Sequence, residues 1–223
     1  MSFDFYSKEM QDVFALMLNG QKGSFIDIGC NHPITGNNTY ALEKRARWRG
    51  VLCDIRTRWT NLCNLSGIRD SPAFCVDAAD RQFIEILNHE FKDKCPDKLV
   101  DFVSLDADDG TTGALENLLI GGYSFKCMTI EHDAYQYGDT IRAPTRKLLE
   151  NYGYHLLFGD VLLDSGEPWE DWWIKPDEYI DSVISLTNAY TRYEKCIESL
   201  VELSNNAVTP NGLQKQKEET EKE

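Results

Sequence analysis

Positive charge is scarce in this chain. Lys and Arg total 23 against 37 Asp and Glu, a net charge of −14 at neutral pH. So acidic a surface repels a phosphate backbone, which argues against nucleic acid as a partner. Cysteine patterning is missing too: the seven cysteines are odd in number and contain no Cys-x-x-Cys pair. Cys53, Cys75 and Cys127 sit in apolar runs, where a free thiol serves as a small hydrophobe. That usage fits a reducing cytoplasm better than a disulfide scaffold or a zinc site, so a cytoplasmic location is expected. No apolar run is long enough to span a bilayer, and the first residues lack the basic-then-apolar order of a secretory signal. Internal repeats are absent.

What is present is enough apolar material for one core: 223 residues, 42% hydrophobic. A single domain is expected over residues 1–204, followed by a polar, low-complexity and disordered tail over 205–223. Short apolar runs alternate with helical spacing. Strands are expected over residues 25–28, 50–54, 73–77, 99–106 and 126–131, then a hairpin of 154–163 and 171–174 about the turn at Asp164 to Pro168. Helices are expected over 7–18 with Ser7 as cap, from Asn38-Thr39 to about Arg47, and over 59–65. Others are expected around 83–87, from Thr111 or Thr112 to Leu119, from Pro144, and as one long element over 176–204. The result is a mainly parallel α/β sheet.

Among these, residues 23–33 stand out. The buried strand gives way to a turn at Asp27, Gly29 and Asn31, just where nucleotide-like ligands bind an open α/β sheet. Asp27, Asp54, Asp77, Asp106 and Glu131 each close a predicted strand, which together mark a polar cleft along one edge. An adenosyl compound gives each a task. Asp54, 25 residues after Gly29, is placed to take hydrogen bonds from ribose hydroxyls. Asp77 with the Ala78 amide suits the adenine edge, and Asp27 with the Gly29 turn faces a positively charged amino-acid part. Asp54 and Asp77 as plain loop caps are the structural alternative. A dinucleotide needs Gly-x-Gly-x-x-Gly for its pyrophosphate, yet Gly29 is followed by Cys30, Asn31, His32 and Pro33. S-adenosylmethionine carries no phosphate and needs only the first turn.

The chain resembles the FkbM-type family of S-adenosylmethionine-dependent O-methyltransferases. The residues that carry the likeness are Tyr6-Ser7 with Gln11-Asp12, Phe25 to Asn31, Asn38-Thr-Tyr40, Leu42-Glu43 and Trp48-Arg-Gly50. Asp101 to Asp108, Ile130-Glu-His132 and Glu170-Asp-Trp172 complete them. The resemblance implies a Rossmann-like class I methyltransferase fold: three α/β/α layers and a seven-stranded, mostly parallel sheet with a terminal antiparallel hairpin. It implies methyl transfer to a hydroxyl, usually on a sugar or other secondary metabolite, and adds Asn38 and Asp106 to the donor-binding set. Two positions depart from the family. Its usual glycine after the first loop is Pro33, and its frequent Asp-x-Glu is Asp106-Ala-Asp108.

A sugar hydroxyl is a weak nucleophile, so a base or a metal must help take its proton. His132 is the favoured base because it follows the fifth strand and an unperturbed imidazole has its pKa near neutrality; Asp106 and Asp108 join it in the catalytic set. Asp106 and Glu131, with Asp133 nearby, are the candidate ligands of a divalent cation such as Mg or Mn. His32, Asp109 and Trp169 are the candidate acceptor contacts, with core packing expected for at least one of Trp172 and Trp173. The long last helix is read as a packing element or a homo-oligomer contact. A methyltransferase-like binding module without turnover, and an NAD-dependent oxidoreductase, are the alternative functions.

Overall fold

The computed structural model describes residues 4–65, 67–206 and 213–215. The run Ser24–Ile28 forms β1 and is buried at every position, as a central parallel strand must be. Its side chains alternate between two apolar clusters: Phe25 enters one, Ile26 and Ile28 the other. β2 (Arg49–Asp54), β3 (Ala73–Cys75), β4 (Leu99–Leu105) and β5 (Ser124–Glu131) pair in parallel around it. Strand order is 3-2-1-4-5-7-6-8, so the winding reverses at β1 and a crevice opens there beyond the carboxyl ends.

Helices cover both faces. α1 (Gln11–Asn19), α2 (Tyr40–Ala46) and α3 (Thr57–Asn64) send Phe14, Leu18, Leu42 and Cys63 into the cluster that holds Phe25. α4 (Arg81–Glu90) and α5 (Thr111–Ile120) fill the opposite cluster with Phe83, Leu87, Leu115 and Leu118. Asp80 caps α4 by accepting the Gln82 N–H at 2.9 Å. Three layers result, as expected.

The far end of the sheet differs from the expectation in detail. β6 (His155–Leu162) and β7 (Pro168–Ile174) form the hairpin, and β7 also pairs antiparallel with β5. Only β7 is therefore reversed; β6 runs with the first five strands. Trp172 and Trp173, adjacent in β7, enter opposite clusters and are both fully buried. An eighth strand, β8 (Asn188–Ala189), lies parallel to β6 in place of a seven-strand edge.

That eighth strand breaks the long helix predicted over 176–204. The segment holds a 3₁₀ turn at Pro176–Glu178 and a short helix, α8 (Asp181–Ile184), before β8; the terminal helix, α9 (Tyr193–Asn206), comes after it. The reason is the open edge of β6: Tyr190 donates to the Gly159 carbonyl at 2.9 Å and Leu162 to that of Thr191 at 3.0 Å. Helical spacing over 176–204 could not reveal a partner so distant in sequence.

Three smaller expectations also change. Ser7 caps nothing: its N–H and hydroxyl both donate to Asp12, and α1 starts at Gln11. Pro144 lies inside α7 (Asp139–Asn151), which a four-residue helix, α6 (Ala134–Tyr137), precedes. A proline at the sixth helical position forgoes one backbone hydrogen bond, and the buried Ile141, Thr145 and Leu149 hold the helix regardless. Of the tail, Asn205 and Asn206 are helical, and Leu213 is buried with its carbonyl taking the Ile180 N–H at 3.2 Å. Residues 207–212 and 216–223 lie outside the described residues.

Candidate active site

The site is built on the close passage of β1 over β4. Gly29 has φ +75°, and a Cβ there would stand 1.7 Å from the Asp106 carbonyl oxygen, so glycine is the one residue that fits. Asn31, at φ +48°, continues the turn. Its N–H donates to Asp54 Oδ2 at 3.0 Å while the Arg56 N–H donates to Oδ1 at 2.8 Å. Asp54 thereby ties the ends of β1 and β2 together. Asp77 holds its own turn by accepting the Ala79 N–H at 2.8 Å.

Two cavities open here. The larger, about 270 Å³, is lined by Gly29, Asn31, Asp54, Arg56, Asp77, Ala78, Asp106, Asp108, Asp109 and Glu131, with Ile28, Ile55 and Val76 as apolar wall. A smaller one, about 110 Å³, is lined by Lys8, Gln11, Asp27, His32, Asn37, Asn38, Ser104 and Trp169. Gly29, Asn31, Asp106 and Glu131 line both. Each residue expected to hold a methyl donor thus lines one cavity or the other, as do His32, Asp109 and Trp169.

Asp27 is buried, and Oδ2 accepts from Asn37 Nδ2 at 3.1 Å and Thr39 Oγ1 at 2.7 Å. Burial pushes its carboxyl above the ordinary value, although Arg69 and these donors pull the other way. Arg69 pairs with Glu43 at 2.8 Å, both side chains fully buried, and its guanidinium also reaches Asn37 and Thr39. Pro33, whose carbonyl Arg69 contacts at 3.4 Å, is buried beneath this network and lines neither cavity. The departure from glycine at that position leaves the pocket open.

Asp106 and Glu131 stand where the cavities meet, and among the described residues neither has an ion-pair partner. Burial, reinforced by Asp106 and Asp133, pushes the Glu131 carboxyl up to about 11. For Asp106 the rise is to about 6, from burial and the charges of Asp108 and Asp133, with a hydrogen bond from Glu131 opposing it. In the free protein Glu131 is therefore a neutral acid and Asp106 is poised near neutrality.

His132 is elsewhere. It is 1% exposed and lines neither cavity; Nδ1 accepts the Ala134 N–H at 3.2 Å, and Nε2 lies 3.4 Å from Asp171 and 3.8 Å from Asp160. Strand alternation explains this, because the residue after Glu131 faces the other way. His132, Asp160 and Asp171 form the one group among the described residues whose donor atoms lie within 4.8 Å of one another. A metal does not fit there. Asp160 already meets Arg142 at 2.5 Å and Arg146 at 2.8 Å, and both Asp171 oxygens meet Arg146 at 2.7 Å. Among the described residues Asp106 and Glu131 form no such group with a third His, Cys, Asp or Glu, so nothing here adds to the expected cation pair.

Sequence reasoning assigned no role to Gln11, Ser104 or Arg56. Ser104 accepts the Asn38 amide at 3.0 Å, and Gln11 reaches Glu170 at 3.2 Å across the chain. Gln11 and Ser104 did lie within the motif residues. Arg56 carried no signal beyond following Asp54.

No family model matches this chain, and no curated protein does. Solved structures do. Cofactor-bound Rv0187 from MTB is 14% identical with TM-score 0.55, over 78% of this chain and 83% of that one. The O-methyltransferase from Bacillus cereus in complex with SAH is 15% identical with TM-score 0.51, over 78% and 84%. SMU.1697c from Streptococcus mutans, also in complex with SAH, is 12% identical with TM-score 0.52, over 77% and 99%. With the strand order and the reversed β7, these likenesses establish the Rossmann-like class I methyltransferase fold for this chain.

Proposed function

We propose that this chain is an S-adenosylmethionine-dependent O-methyltransferase of the FkbM type, acting on a hydroxyl of a carbohydrate. One observation carries the reading. The eight residues expected to hold the donor all line two cavities that meet at Gly29, Asn31, Asp106 and Glu131. Two structures of this fold, from Bacillus cereus and Streptococcus mutans, hold SAH, which supports the cofactor.

S-adenosylmethionine supplies an electrophilic methyl group on a positively charged sulfur. Asp54 receives the ribose hydroxyls, and Asp77 with the Ala78 amide receives the adenine. Asp27, Asn38 and the Gly29 turn hold the amino-acid end in the smaller cavity. Asp106 presents negative charge at the junction, where a cation is best stabilised, with Glu131 beside it as a neutral acid. Asp106 takes the proton from the acceptor hydroxyl, a role its pKa of about 6 suits, whereas the buried His132 lines neither cavity. Trp169 and His32 contact the acceptor. No step is assigned to a metal.

Calorimetry with S-adenosylhomocysteine and NAD tests the donor site: micromolar binding of the first and none of the second is expected. Mass spectrometry of glycans incubated with the methyl donor tests turnover, with a gain of one methyl group expected. Donor binding without methylation of any glycan would leave a binding module instead.

A further inference from the structure

We infer that this chain carries a second ligand site, built for a small molecule with a diphosphate group, at the amino ends of the strands. The site is separate from the donor cavities and independent of the function proposed above. β1 joins the two, with Ser24 at one end and the Gly29 turn at the other, about 17 Å of extended chain apart. A cavity of about 550 Å³ opens beside Ser24, within the size range of small-molecule pockets. Five of the chain's 23 Lys and Arg line it: Lys22, Arg47, Arg49, Lys94 and Lys126. Of the 37 Asp and Glu, only Asp97 and Asp101 do. Both are already committed. Asp101 meets Lys126 at 2.7 Å and accepts the Ser24 N–H and hydroxyl at 2.7 and 2.8 Å, while Asp97 accepts the Leu99 N–H at 3.2 Å. Arg49 stands 3.8 Å from Asp70, which Lys44 holds at 2.9 Å. Among the described residues Lys22, Arg47 and Lys94 have no ion-pair partner, in a chain rich in carboxylates.

These cations stand on fixed backbone. Lys22 donates its N–H to the Ala46 carbonyl at 2.9 Å and Arg49 donates to that of Gly23 at 3.0 Å, which locks the turn before β1 to the turn before β2. Trp48, fully buried beneath them, donates from Nε1 to the Gly20 carbonyl at 2.9 Å. On the other wall the Ser124 N–H donates to the Lys98 carbonyl at 2.9 Å and ties the loop that carries Lys94 to β5. Lys22 and Arg47 have φ +68° and +63°, left-handed positions that glycine fills without strain, yet a cation occupies each. Like charges held at fixed points around a concave surface repel one another until an anion enters, and such a cavity concentrates anions. Phosphate chemistry matches the donors: the guanidinium forks of Arg47 and Arg49 pair two oxygens at a time, and Lys22 and Lys94 add compact charge. A monocarboxylate would leave most of the surplus uncancelled, whereas a diphosphate answers the three uncommitted cations together.

Calorimetry on the full chain with inorganic pyrophosphate tests the site, with citrate as a carboxylate of similar charge. Pyrophosphate is expected to bind with a Kd below about 1 mM. Lys22→Ala, Arg47→Ala and Lys94→Ala combined should weaken that binding about tenfold or more, with the melting temperature and the affinity for S-adenosylhomocysteine unchanged. Removing three exposed cations outside the cavity, Arg81, Lys147 and Lys195, changes net charge equally and should leave pyrophosphate binding nearly intact. Absence of binding, or binding that the first triple variant keeps, overturns the inference. So does an equal loss in the second triple variant, or displacement of pyrophosphate by S-adenosylhomocysteine, which would put the anion in the donor cavities. Citrate binding as tightly as pyrophosphate overturns the assignment to a diphosphate.

Discussion

Two acid clusters lie side by side at the end of β5, and they differ in what neutralises them. Behind the strand, Asp160 and Asp171 are met by Arg142, Arg146 and His132, so that every carboxylate oxygen has a partner. Desolvation raises the Asp171 carboxyl, but Arg146 and His132 more than offset it and hold it below the ordinary range. In front, Asp106 and Glu131 have no cation of their own, and both carboxyls are pushed up. The first cluster is finished by the protein. The second is one that a positively charged ligand would finish, which is how a resident ion-pair network and a binding site are told apart when both are buried acids.

Removing the base should have the largest effect. Asp106→Asn is expected to lower kcat about 10²–10⁴-fold, the usual worth of a general base, while leaving the melting temperature equal or higher because a like charge is gone. A variant that keeps its rate would move the base to another carboxylate of the larger cavity, Asp108 or Asp109. Breaking the finished cluster comes next: Arg146→Met takes the only arginine from buried Asp171 and one of two from Asp160, and should cost about 3–5 kcal/mol in urea unfolding. If that loss is below about 1 kcal/mol, the two clusters do not differ as described.

The two clusters should also respond oppositely to pH. Glu131 has its pKa raised from 4.5 to about 11, so the stability it contributes is full below 4.5 and is lost as pH rises toward 11. Asp171 is lowered below 3.8, so its contribution is present above that value and disappears as pH falls through the lowered pKa. Unfolding followed from pH 5 to 9 should therefore show stability falling with pH, and Glu131→Gln should flatten that slope, which for one proton is at most about 1.4 kcal/mol per pH unit. Turnover should move the other way, rising with pH through about 6 as Asp106 ionises. The smallest effect is expected at Asp77→Asn. Its carboxylate mainly holds the Ala79 N–H, and a loss of about 1 kcal/mol in S-adenosylhomocysteine affinity would support the adenine contact.

Much of this was legible in the sequence because it rests on local pattern. Buried parallel strands read as apolar runs, and a glycine with an acid behind it marks the ligand end of β1; both Phe25 to Gly29 and Leu99 to Asp106 announced themselves that way. Alternation within a strand likewise sent Trp172 and Trp173 to opposite faces. The sequence by itself thus determined the layer architecture and the edge on which the cavities lie. Only the tertiary structure decided which acids acquire arginines. Arg142 and Arg146 come from α7, and no spacing rule links them to Asp160 in β6 or Asp171 in β7. The same contacts removed His132 from the cavity and left Asp106 in it, because its ring turns toward carboxylates brought near by sheet pairing. Sheet pairing also broke the helix predicted over 176–204, since the open edge of β6 needed a partner. Residues near in sequence set the elements; hydrogen bonding and charge across the sheet set the chemistry of the site.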